Sequence, residues 1–154
     1  MATTSSQVKT VLDALAARLA LRAGLSAARV FTYVPPPSVQ SEVGTYITLA
    51  VRVSGRQEYP YAAKTIKRDR FTIDGEIIVL QPGAGDEAAA AAMTLAESWF
   101  AEIEDEVRTD PSLGLGSYVV TQIGDYEHLY SGNDRGRIHG LRWSLDAQVE
   151  MVST

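Results

Sequence analysis

Two histidines are the first residues to weigh for chemistry, because imidazole changes charge near neutral pH and ligates metals. His128 and His139 are the only ones in the chain. Together with Glu127 or Asp125 they could bracket a metal, as in a small metal-dependent hydrolase or a ligand-binding domain. No tight ligand spacing joins them, however, and surface histidines are the plainer reading. The chain has no cysteine, which excludes disulfides, thiolate catalysis and cysteine-based zinc sites. "GLGS" at 114–117 lacks the lysine and following helix of a phosphate loop. "PGAG" at 82–85 precedes a helix start, where backbone N–H groups can bind an anion, but Asp86 and Glu87 would repel one there, so it reads as a turn. Carboxylates crowd one helical segment: Glu97, Glu102, Glu104, Asp105, Glu106 and Asp110. A catalytic carboxylate pair needs opposed environments, and nothing here supplies them. The segment reads as a solvated face or an acidic docking surface. Neither a catalytic residue nor a cofactor is expected.

The opposite charge gathers elsewhere. In "GRQEYPYAAKTIKRDR", residues 55–70, Arg56, Lys64, Lys67, Arg68 and Arg70 are answered only by Glu58 and Asp69, with Tyr59 and Tyr61 around Pro60. The whole chain has 14 Lys+Arg against 19 Asp+Glu and a net charge of −5. That balance argues against general nucleic-acid affinity, which depends on neutralising phosphates. Residues 54–69 are far more than the two to five residues a hairpin needs. Tyrosine and arginine are both enriched at interfaces. The simplest partner is a second copy of the chain, whose acidic helix complements the arm. Such a head-to-tail contact is heterologous and closes into a ring if the rotation allows. The candidate interface is therefore Arg56, Tyr59, Tyr61, Lys64, Lys67, Arg68 and Arg70 on the arm, and Glu102, Glu104 and Asp105 on the helix. The bland alternative is an exposed basic hairpin without a partner.

Several elements must position these groups. The chain of 154 residues is the size of one domain, 1–154. Residues 6–23 predict an amphipathic helix with Val8, Val11, Leu12, Leu15 and Leu19 on one stripe, capped by Ser5 or Ser6 and stopped by Gly24. Residues 29–34 predict a strand, and Pro35, Pro36 and Pro37 a stiff extended exit. Residues 45–53 alternate, with Ile47, Leu49, Val51 and Val53 on one face. Residues 70–81 resume strand character, with a bulge or turn at Asp74-Gly75. The long helix, 85–111, carries Ala88, Ala92, Leu95, Trp99, Ile103 and Val107 on its buried stripe. A weaker strand over 117–129, a polar loop over 130–137 and a cleanly alternating strand from Leu141 to Met151 complete the chain. Strands in runs between helices predict an α+β fold: a mostly antiparallel β-sheet, two helices packed on one face and a long β-hairpin arm. No stretch approaches the ~20 apolar residues of a membrane span, and the polar N-terminus lacks the apolar run of a signal peptide, so a soluble, unexported chain is expected.

This order of features resembles the tail terminator (tail completion) proteins of long-tailed bacteriophages. The resemblance covers nearly the whole chain: the first helix, "RVFTYVPPP", the strand pair with its arm, "FTIDGEIIVLQPGAGDEAAAAAMTLAESWFAEIEDEV", "DPSLGLG", and the last strand entered from "YSGNDRGRIHG". It is one of architecture, without a diagnostic motif. It implies a structural protein that forms a ring, typically a hexamer, at the head-proximal end of the tail. The ring ends polymerisation of the major tail tube protein and docks the head connector or stopper protein. DNA only passes through its lumen, which an acidic wall would let it do without sticking. The chain would be assembled in the host cytoplasm and reside in the virion. The arm would reach the neighbouring subunit or the tube, and loop 130–137 and Pro35–Pro37 would be further contacts. A head–tail connector subunit is the neighbouring alternative.

Overall fold

Alternation over the two longest apolar-polar runs dictates two long strands, and these form the centre of the sheet. The computed structural model describes residues 6–42, 44–59 and 66–152. In chain order its elements are α1 (Val8–Ala20), β1 (Val30–Tyr33), α2 (Pro37–Glu42), β2 (Tyr46–Glu58), β3 (Ile66–Gln81), α3 (Asp86–Thr109), β4 (Val119–Asn133) and β5 (Gly136–Val152). The five strands make one sheet in the order β1-β2-β3-β5-β4. Every neighbouring pair is antiparallel except β1 with β2, which is parallel. The protein is thus α+β with a mostly antiparallel, mixed sheet.

One face of that sheet is closed by helices. Ile73, Ile77 and Val79 of β3 and Leu141, Trp143, Leu145 and Val149 of β5 are buried in alternate positions. Above them α1 inserts Val11, Leu12, Leu15 and Leu19, and α3 inserts Ala92, Ala96, Trp99, Ile103 and Val107. Each large aliphatic group removed from water contributes about 2 kcal/mol. A Cβ at Gly75 would lie 2.2 Å from Cζ2 of Trp143, so glycine makes room for the indole in the tightest part of the core. Among the described residues, the other face carries no long helix and is largely polar.

Several boundaries differ from expectation. Ser6 Oγ accepts the Val8 N–H at 3.2 Å, and the Asp69 carboxylate of β3 accepts the Gln7 N–H at 2.7 Å. A carboxylate at that positive helix end is favourable, so the cap comes mostly from another element. Gly24 does not stop α1, whose C-cap Leu21 stays right-handed. Gly24 instead faces the end of the Glu102 side chain, which a Cβ there would displace. The proline run is not wholly extended: Pro37 opens α2, a first-turn position that tolerates its missing N–H.

The largest corrections concern the hairpins. β2 and β3 remain paired through Glu58↔Arg68, so residues 54–58 and 66–69 continue the strands and only 59–65 connect them. β4 and β5 stay paired to Asn133↔Gly136, so the expected loop 130–137 is a hairpin end with Asp134-Arg135 at its tip. Strand alternation is legible only where one face buries apolar groups; the tips of β2 and β4 are exposed, and the buried positions at the β3 tip are Lys67 and Asp69. The irregularity expected at Asp74-Gly75 lies across from it, in β2, where Thr48 to Arg52 advances four residues while Glu76 to Asp74 advances two. β4 has a second bulge between Ile123 and Tyr126. It flips the alternation: Val119 and Thr121 are buried before it, whereas Tyr126 and His128 oppose the helix-side Trp143 and Leu141 after it. That flip is why the pattern of this strand looks weak in the sequence.

Candidate assembly surface

The basic residues of the arm do not form one open patch. Arg56 pairs with Glu58 at 2.8 Å, and Arg70 lies 3.7 Å from the same carboxylate and 3.2 Å from Gln148. Arg68 pairs with Glu150 of β5 at 2.5 Å. Glu150 is thus a counter-charge that local sequence does not suggest, because β3 and β5 are paired across 82 positions of chain. Lys67 is only 5 % exposed and turns to the helix side along with Asp69. Tyr59 is exposed. Tyr61 and Lys64 lie outside the described residues.

The acidic helix face is occupied as well. Arg22 spreads its guanidinium over three carboxylates of α3: Nε donates to Glu102, Nη2 to Asp105 and Nη1 to Glu106, each at 2.7 Å. Arg18 adds Asp110, with Glu106 at 3.7 Å. The hydrogen bond from Arg22, reinforced by Arg108, holds the Asp105 carboxyl below its usual range. The carboxylate hydrogen bonds in turn push Arg22 further up. Of the three acidic residues expected to dock the arm, Glu102 and Asp105 therefore clasp α3 to the end of α1, and Glu104 alone stays fully exposed. Arg18 and Arg22 are four residues apart at the end of an amphipathic helix, and that spacing was the available signal.

The histidines do meet. His128 Nδ1 and His139 Nε2 are 2.7 Å apart, so one ring donates and the other accepts. His139 is 1 % exposed and its Nδ1 has no partner. The far nitrogen of His128, Nε2, lies 3.7 Å from Glu97 of α3. Burial, reinforced by His128, lowers the His139 pKa, with Glu97 opposing. Tyr126 and Tyr130 pack edge-on against these rings. The carboxylate beside the pair is Glu97, not Glu127 or Asp125. Glu127 sits 4.0 Å from Arg142, and Asp125 is in the bulge with its N–H on Ser144 Oγ at 2.8 Å. No group of three or more His, Asp or Glu residues placed to hold a metal ion occurs among the described residues.

Nothing in the local pattern announces the helix-free face. The two bulges fall at the same height on either side of β3 and β5, and bend the sheet there. A groove of about 540 Å³ follows, lined by Arg52, Asp74, Glu76, Asp125, Glu127 and Arg142 among others. The outer edge of the sheet is equally exposed. β1 pairs with β2 only as far as Ala50. From Val51 to Gln57 every residue of β2 is exposed, on both faces and along the unpaired edge.

No protein-family profile matches the chain, and no curated protein matches it significantly.

Proposed function

We propose that this protein is a structural subunit of a phage tail, a tail terminator that assembles as a ring on the head-proximal end of the tube and joins it to the head connector. The observation that carries the reading is the distal half of β2. Seven consecutive strand residues, Val51 to Gln57, are exposed, and Tyr59 beyond them is exposed too. The distal half of β2 is held on one side by β3, which is itself paired with β5 to its end, and the other edge of β2, left without a strand, is suited to another chain. The groove on the helix-free face is open and mixed in charge, as a contact surface is. The net charge of −5 suits a channel through which DNA must slide. Because Glu102 and Asp105 are engaged within the chain, the arm's distal partner is the neighbour's sheet or the tube rather than the acidic helix.

The test is assembly on the biological template. Tubes polymerised from the cognate tail tube protein should stop growing when the protein is added, with a ring at one end in electron micrographs. Binding to the portal-side connector with no effect on tube length would assign the connector role instead. A protein that touches neither would overturn the structural reading.

A further inference from the structure

Among the described residues the sheet has two unpaired edges, and their properties match each other. β2 runs parallel to β5 and opposite to β3 and β4, since each step β2-β3, β3-β5 and β5-β4 is antiparallel. A laterally placed second copy in the same orientation therefore sets its β2 against β4 in antiparallel fashion, with both helix layers on the same side. Backbone register puts the two edges at matching heights. Ser54 lies opposite Thr72, Thr72 opposite Asp146, and Asp146 opposite Gln122, giving one row across the sheet. Arg52 aligns through Asp74 and Ser144 with the bulge that carries Asp125.

Charge distinguishes a pairing edge from a guarded one. Edge strands often carry charges to repel copies of themselves. Here the signs are opposite: the free stretch of β2 has Arg52 and Arg56, while β4 has Asp125 and Glu127 and no lysine or arginine. Exposed apolar side chains gather at the same height: Val51 and Val53 on β2 and Tyr126 on β4. Across antiparallel strands, such opposite-charge and aromatic–β-branched pairs are the stabilising ones.

We infer that β4 of one subunit adds to the free half of β2 in the next copy of this chain, making a continuous sheet through a head-to-tail contact. This rests on the ring reading and supplies its subunit joint. Main-chain hydrogen bonds hold the joint, and Arg52 of one copy against Asp125 of the next, level with it across the sheet, sets its register.

Charge swapping tests it by light scattering and by capping of tubes. Arg52→Glu and Asp125→Arg should each weaken assembly by about tenfold or more. Mixing the two variants should restore it, because each meeting edge then has opposite signs. Cross-linking gives an independent reading, since the chain has no cysteine. Oxidising a mixture of Ser54→Cys and Gln122→Cys proteins should give the mixed dimer. A Gln122→Cys homodimer alone would mean two-fold β4–β4 pairing and overturn the head-to-tail joint. If both charge variants assemble like the parent while the parent still caps tubes, the joint is wrong and the ring reading survives. If the parent neither assembles nor caps tubes and the Ser54→Cys and Gln122→Cys mixture gives no cross-link, both are overturned.

Discussion

Helix α3 and the hairpin arm each carry a dense run of one charge, and the structure treats them oppositely. On α3 the carboxylates are drawn inward by Arg18 and Arg22, which reach from the end of α1 across 80 or more residues of chain. On the arm, Arg68 is likewise met by Glu150 of β5, but Arg56 and Arg70 are met only by one glutamate and a glutamine on strands that remain open to water. The first cluster is a clasp that fixes one helix on another. The second is a surface. Charge density alone does not separate the two. What separates them is whether a counter-charge sits on an element already packed against the first.

The sharpest way to break this contrast is Arg22→Ala. It leaves three carboxylates facing one another with a shared partner removed. Because the cluster is only partly shielded, the expected loss is about 1–3 kcal/mol, below the cost of breaking a fully buried pair. Denaturant melts would show it. The same variant should flatten the acid limb of the stability curve. The Asp105 carboxyl is held low in the folded state, so its contribution is present above the unfolded pKa and lost as pH falls through the folded one. An unchanged midpoint and acid limb would mean the clasp is decorative.

The histidine pair gives a smaller effect on the same helix. His139 has its folded pKa below the ordinary 6.5, so the unfolded chain takes up the proton first. Stability is full above about pH 6.5 and declines as pH drops toward the folded value, by at most about 1.4 kcal/mol for each pH unit crossed. Asp and Glu residues titrate lower, so melts between about pH 7.5 and 5.5 read the histidine pair, and comparison with His139→Gln isolates this group. His139→Gln should remove that slope. The groups facing His139 are His128, Tyr130 and, through His128, Glu97, and Glu97→Gln should steepen the slope by removing the carboxylate that opposes the lowering.

The arm should show the least. Arg56 has a side chain 70 % exposed, and exposed ion pairs contribute little. Arg56→Glu is expected to change stability by no more than about 0.5 kcal/mol while lowering assembly onto tubes. A loss as large as that of Arg22→Ala would erase the distinction between clasp and surface.

How much of this could be read in advance varied with burial. The two amphipathic helices and the β3 and β5 alternation were legible because a single buried face imposes its period on side chains. The α+β architecture followed from their order. The tips of both hairpins were not legible, since strands that bury no apolar face carry no such period. The bulge at Gly124-Asp125 also hid half of β4 by switching which parity faces inward.

Residue order was enough to say which segments must bury a face, and so to specify the core made by α1, α3 and the long strands. It was enough, too, to place a basic arm and an acidic helix. Folding in three dimensions settled the rest: the acidic helix is neutralised from within, His128 and His139 touch, and β2 and β4 end as open edges of opposite charge. These outcomes depend on which distant elements become neighbours. Local composition and periodicity carry no record of that, because strand pairing and helix docking fix contacts between residues tens of positions apart.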